Sequence, residues 1–215
     1  MTRTLSESES KAILARFGVP VAAERVVVNA EDAGPAAEEC GFPAVAKLCG
    51  DNIAHKTERG LVRLGLADAG AAVAAARELL DLAMAGDGDV GVLIAPMILG
   101  NRELIAGLSL DPQFGMTVMV GIGGVFAEAF ADVTVRLVPI TRLDALEMID
   151  DLATSAMLGP FRGEVAVDRE AVAGVLLALS DAAEATPDLV SADLNPLIIR
   201  DGRPVAVDAL VEMAR

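Results

Sequence analysis

The sequence has no tryptophan and no tyrosine, a single histidine (His55) and two cysteines. Those cysteines, Cys40 and Cys49, have neither CxxC spacing nor a disulfide framework, and with one histidine they argue against a structural zinc site. Any bound metal is then expected to be a hard cation on oxygen ligands. Cations are also scarce: 17 lysines and arginines face 32 acidic residues, for a net charge of −15. That balance argues against a nucleic-acid partner, whose phosphates demand clustered lysine and arginine. No apolar run reaches the roughly 20 residues of a membrane span. The longest approach to one, Ala69 to Ala85, is broken by Arg77, Glu78 and Asp81. The N-terminal "MTRTLSESESK" lacks an apolar signal segment and reads as a helix start, so the cytoplasm is the expected location.

What is present is alanine and valine, within a hydrophobic content of 53% over 215 residues. That length suits one domain of two lobes and suffices for a real core. Ser6 and Glu9 form a capping-box pair ahead of a helix over 6–17, stopped by Gly18 and Pro20. "ERVVVNA" reads as a strand, "EDAGPAAEECG" as a short helix ended by Gly41, and "FPAVAKLC" as a strand carrying Lys47. In "LVRLGL", alternation places Leu61, Arg63 and Gly65 on one face and Val62, Leu64 and Leu66 on the other. A helix follows over 68–85, its turns marked by Val73, Arg77, Leu80 and Met84. "VGVLIAPM", "RELIAGLSL", "MTVMVG", "GVFAEAFA" and "VTVRLVPI" read as strands, and helices are expected over 141–152 and 168–185. The chain ends in a hairpin, "LVSADLNPLIIR" and "PVAVDALV", closed at "DGR". Consecutive strands with separate helices indicate an α+β fold rather than a strictly alternating parallel sheet. "GDGD" at 86–89 and "ILGN" at 98–101 are candidate lobe boundaries.

Three features bear on chemistry. Lys47 lies inside an apolar strand. An edge strand with the lysine in solvent is the simple account, and a lysine aimed at phosphate oxygens from a rigid platform is the functional one. The loop after it supplies His55, Lys56, Thr57 and Gly60, cationic enough to fold over a polyphosphate, although on its own it reads as a solvated loop. "GIGG" at 121–124 fails as a dinucleotide fingerprint, since Phe126 occupies the sixth position and a strand follows. Glu103, Glu128, Asp193 and Asp208 interrupt apolar strands. With the hairpin turn near residue 202, Asn195 falls almost opposite Asp208, and a carboxylate with an amide carbonyl can hold Mg²⁺ alongside substrate phosphates.

The ordered segments "FPAVAKL", "IAHKTERGLVRLGL", "VLIAPMI", "RELIAGLSLDPQFG", "VGIGGVFAEAFADVTVRLVPI" and "DLNPLII…DGRPVAVDA" resemble the ATP-grasp domain of ADP-forming acyl-CoA (acetyl-CoA) synthetases, related to the succinyl-CoA synthetase β subunit. The resemblance implies two α+β lobes gripping nucleotide, approximately 20–95 and 96–215, with helix 6–17 joined to the second. It implies Lys47, Lys56 and Gly60 around the ATP phosphates, and the strand through Ala95 and Met97 at the adenine. Glu103 would stand near the ribose and Arg136 in a patterned nucleotide segment. Asn195 and Asp208 would be Mg²⁺ ligands, Asp193 would meet a phosphorylated histidine, and His55 would relay phosphate. The implied activity is a carboxylate–CoA ligase forming ADP through phosphohistidine. In the family CoA and the principal phosphohistidine belong to the other subunit or domain, and with 215 residues here a CoA-binding α subunit is the expected partner. Two other readings stay open: a nucleotide-binding regulatory module without catalysis, motivated by Leu61 where the family commonly has a second glycine, and a stand-alone carboxylate–amine ligase.

Overall fold

A computed structural model describes residues 2–50, 52–53, 56, 59–124, 132–160 and 163–214. His55, Glu128 and nearly all of the expected strand "GVFAEAFA" lie outside the described residues. In chain order the elements are β1 (Thr2–Thr4), α1 (Glu7–Ala15), β2 (Arg25–Val27), α2 (Ala33–Cys40), β3 (Ala44–Gly50), β4 (Val62–Leu66), α3 (Ala69–Asp81), β5 (Val90–Pro96), β6 (Glu103–Asp111), β7 (Gly115–Ile122), β8 (Val133–Leu137), α4 (Arg142–Asp150), α5 (Arg169–Ala185), β9 (Leu189–Arg200), β10 (Arg203–Ala206) and β11 (Leu210–Ala214). They divide into two compact units. The smaller comprises Thr4–Glu9 and Ala22–Met97, the larger Met1–Arg3, Ser10–Val21 and Ile98–Arg215.

In the smaller unit four antiparallel strands run in the order β2-β5-β3-β4. Ala44, Ala46 and Leu48 of β3, with Val92 and Ile94 of β5, face a core shared with α2 and α3. Pro35 is tolerated as the third residue of α2, where the N–H would have no intrahelical partner. Gly41, at φ 91°, ends that helix. Asp68 caps α3 by accepting the Ala71 N–H at 2.8 Å. The buried face of α3 is Ala72, Ala75, Ala76 and Leu79. Alanines let α2 and α3 approach closely, and Arg77 reaches Glu31 at the surface.

Two strands differ from the pattern in the sequence. β3 is an interior strand, so Lys47 is buried and not at a solvent-facing edge. β4 does not alternate cleanly: its pairing with β3 slips between Ala44 and Ala46, and Gly65 takes a left-handed φ of 70°. The extra residue of this bulge turns Leu61 and Leu66 into the same core while Leu64 is 63% exposed.

The larger unit holds a sheet in the order β1-β11-β9-β6-β7-β8, with β10 also on β9, seven strands among the described residues. The N-terminus thus opens with a strand ahead of its helix. The Ser6–Glu9 box of α1 is formed as expected, Glu9 N–H to Ser6 Oγ at 3.4 Å and Ser6 N–H to Glu9 Oε2 at 3.0 Å. α5 packs on β6 and β7 through Val172, Val175, Leu176 and Leu179, joined by Ala173, Ala178 and Ala182. α4 starts with a Thr141–Asp144 capping box and packs against α5 and β8.

The central pair β6–β9 leaves no room for a side chain at Gly107, whose added Cβ would stand 2.6 Å from the Ala192 carbonyl oxygen. Gly107 also pairs with Asp193. Gly107→Ala should therefore cost about 1–3 kcal/mol, as forced overpacking does. Urea denaturation measures it, and an unchanged midpoint would mean that β9 yields freely.

Candidate functional site

The chain has three lysines against fourteen arginines, and all three lysines are buried. Two of them converge on one carboxylate. Lys47 Nζ donates to Glu7 Oε1 at 2.8 Å, and Lys56 Nζ donates to Glu7 Oε2. The Glu7 side chain is fully sequestered, and those of Lys47 and Lys56 are 11% and 9% exposed. Alternation along β3 explains the arrangement. With Ala46 and Leu48 turned to the helices, Lys47 shares the opposite face with Cys49, beside Leu93 and Ala95 of β5. Glu7 comes from the first turn of α1, where the helix dipole favours a carboxylate. Burial pushes the Cys49 thiol up, against the lowering influence of the Ser8 backbone, so this cysteine stays a thiol at neutral pH.

The loop that carries Lys56 is fastened at its described residues. Leu61 N–H donates to the Lys56 carbonyl at 2.9 Å, and the Leu61 carbonyl accepts from Leu48 N–H at 3.0 Å. Leu61 itself is 1% exposed, so the position that departs from the family's second glycine is a core anchor. Gly60, exposed just before it, has a left-handed φ of 66°. Arg59 forms a two-pronged pair with Asp87, at 2.8 and 2.9 Å, and Asp87 also accepts the Met84 N–H at 2.9 Å. The Arg59 guanidinium first, then that N–H, hold the Asp87 carboxyl below its ordinary range. Asn52 completes the attachment through Gly86 and Asp87. The cations of the "HKTERG" stretch are thus spoken for: Lys56 by Glu7 and Arg59 by Asp87. His55, which precedes Lys56, lies outside the described residues.

Acidic residues gather in the larger unit. β9 pairs Leu197 with Ala206 on one side and Asp193 with Leu210 on the other, in one continuous register that sets Asn195 opposite Asp208. Against β6 the same strand slips, Leu197 opposite Leu104 but Leu194 opposite Ala106, so Asn195–Pro196 forms a bulge. Proline has no N–H to withhold from the ladder there. Asp193 and Asn195 alternate with buried Ala192 and Leu194 and point out of the core, and Asp208 is half-buried. Although solvent reaches Asp193, the protein around it disfavours its charge and Asp208 repels it, and both raise its pKa. Among the described residues no group of three or more His, Cys, Asp or Glu is placed to hold a metal. Two carboxylates and an amide do suit a cation that draws its remaining ligands from water and phosphate.

The other expected residues are dispersed. Ala95 pairs with Val45 at the end of β5, and Met97 N–H donates to the Pro43 carbonyl at 2.8 Å. Glu103 lines a pocket of about 170 Å³ with Ile122, Gly124 and Met157. The glycines of "GIGG" fit closely there, since a Cβ on Gly123 would stand 3.1 Å from the Leu104 backbone. Arg136 is on β8, three strands from β9 and so about 14 Å from it. Its guanidinium pairs with Asp151 at 2.6 Å. Glu7 is the residue that sequence reasoning missed. The scarcity of lysine was the available signal, because buried ammonium groups require a carboxylate.

The ATP-grasp domain family matches residues 1–213. The chain is 38% identical over 210 residues to the β subunit of ADP-forming acetate–CoA ligase I of Pyrococcus furiosus, covering 96% of this chain and 90% of that one. Its fold matches an acetyl-coenzyme A synthetase of Ca. Korarchaeum cryptofilum, in complex with coenzyme A and Ca-AMPCP, with a TM-score of 0.92 and 33% identity. That match spans 99% of this chain and 94% of the other. A second structure of that enzyme, with coenzyme A, Mg-AMPPCP and a phosphohistidine segment pointing towards the nucleotide site, matches with a TM-score of 0.83 and 33% identity over 97% and 92% of the two chains.

Asp87→Asn should lower the urea midpoint at pH 7. Because the folded carboxyl has a depressed pKa, its contribution is full above the unfolded value of about 3.9 and is lost as pH falls through the lower folded value. The gap between wild type and variant should therefore narrow in acid. A gap independent of pH would show that the Arg59–Asp87 charges contribute nothing.

Proposed function

The chain belongs to the ATP-grasp family, and from that premise we propose that it is the nucleotide-binding β subunit of an ADP-forming carboxylate–CoA ligase. The observation that carries this reading is the match to β subunits of such ligases along nine tenths of their length. ATP, Mg²⁺ and a small carboxylic acid are the reactants, and CoA binds with a partner α subunit that carries the main phosphohistidine. In this reading Lys47 and Lys56, set by Glu7, donate to the phosphate oxygens and offset the charge that builds up as the terminal phosphoryl group leaves. Gly60, in its left-handed turn, shapes the loop beside them. The backbone through Ala95 and Met97 meets the adenine, and Glu103 the ribose.

Asn195 and Asp208 would hold Mg²⁺ through an amide oxygen and a carboxylate. Bound there, the cation supplies charge neutralisation to the phosphates. Asp193 would meet the phosphorylated histidine. His55 would receive the γ-phosphoryl group in relay: a neutral imidazole nitrogen attacks phosphorus, the bond to the bridging oxygen breaks, and ADP departs with the electron pair. Arg136 keeps its place in the nucleotide segment of this reading, with its guanidinium on Asp151. The alternative of a module without catalysis rested on Leu61, and that residue has a packing reason to be where it is.

Co-expression with a CoA-binding α subunit should give ADP formation that requires acetate or another small carboxylic acid and CoA. Asp208→Ala should reduce kcat of that complex about 100-fold or more, on the scale of losing a group that stabilises transition-state charge. Turnover unaffected by Asp208→Ala would overturn the cation assignment. No ADP formation with any α subunit would overturn the ligase.

A further inference from the structure

We propose that Glu7 is a positioning residue for phosphoryl transfer, the fixed carboxylate that aims both phosphate-binding lysines. The inference rests on the nucleotide-binding reading above and adds to it a residue from the N-terminal helix. Its grounds are geometric. One side chain, with no solvent exposure, gives one oxygen to Lys47 on β3 and the other to Lys56 in the following loop. The two partners are separated from Glu7 by 40 and 49 positions in sequence, so a single carboxylate fixes strand and loop to each other.

Stability alone is a poor reason for such a group. Buried ionic clusters are often no more stabilising than apolar residues of the same volume, while removal of one member leaves a buried charge uncompensated. The rest of the chain avoids lysine, since the 14 other cations are arginines. Lysine is thus kept for buried sites, and two of the three share this carboxylate. An ammonium group has three donors on a flexible stem, unlike the pre-shaped arginine fork, so its direction must come from a neighbour. Glu7 supplies that direction. Removing the carboxylate takes away the charge that draws the two ammonium groups to one point.

The test is binding of Mg-AMPPCP and of AMP to wild type and to Glu7→Gln, by calorimetry on the full chain, with circular dichroism as the check on folding. Glu7→Gln should weaken Mg-AMPPCP at least about tenfold and leave AMP within about twofold, since only the former carries the β- and γ-phosphates. Equal or tighter binding of Mg-AMPPCP by the folded variant overturns the positioning role. Equal losses for both nucleotides also overturn it, in favour of a structural carboxylate. Failure of wild type to bind either nucleotide overturns the nucleotide reading itself, which separates the two claims. If Glu7→Gln does not fold, Glu7→Asp, with the same charge on a shorter arm, is measured against the same outcomes. Unfolding of both overturns the proposal.

Discussion

A lysine buried in an interior strand of a sheet must be answered by a carboxylate, and the Glu7–Lys47–Lys56 cluster is that answer. β3 has strands on both sides, and helices cover the face that carries Ala44, Ala46 and Leu48. Lys47, on the opposite face, keeps only 11% of its side chain exposed, and an isolated ammonium there would be costly. The first turn of α1 brings Glu7 to the other face, and its dipole supports the charge. Once Glu7 is fixed, Lys56 follows, and Leu61 and Arg59 tie down the end of the loop. One electrostatic demand thus accounts for a helix start, a strand residue and a loop anchor.

The acidic residues of the larger unit depend on backbone geometry instead. Asp193, Asn195 and Asp208 are brought together by strand register, and the slip of β9 against β6 sits at Asn195–Pro196. Gly107 permits the close approach of β6 that places Asp193. Burial first, and then repulsion from Asp208, raise the Asp193 pKa.

Local signals were legible in the sequence. The "DGR" turn sets its hairpin register over a few residues, so the opposition of Asn195 and Asp208 could be read before any fold was known. The capping box at Ser6 and the oddity of Lys47 were equally local. Strand order was not. That β3 is interior, with Lys47 buried, depends on β5, which comes some 40 residues later in the chain. Glu7 was hidden for the same reason, as one acid in a "SESES" run with partners far along the chain. Gly65 concealed the face of β4, because a bulge inverts the alternation on which the reading relied. Leu61, in place of a glycine, fills the core, a role that only the tertiary packing shows.

With only three lysines, the central claim can be watched directly. Protein labelled with ¹³C at lysine Cε carries three such side chains, assigned by single Lys→Arg or Lys→Gln replacements. On titration with Mg-AMPPCP, the Lys47 and Lys56 resonances should shift together along one saturation curve, and AMP should leave them nearly in place. If both stay fixed at saturating Mg-AMPPCP, the buried cluster does not hold the phosphates and the account fails.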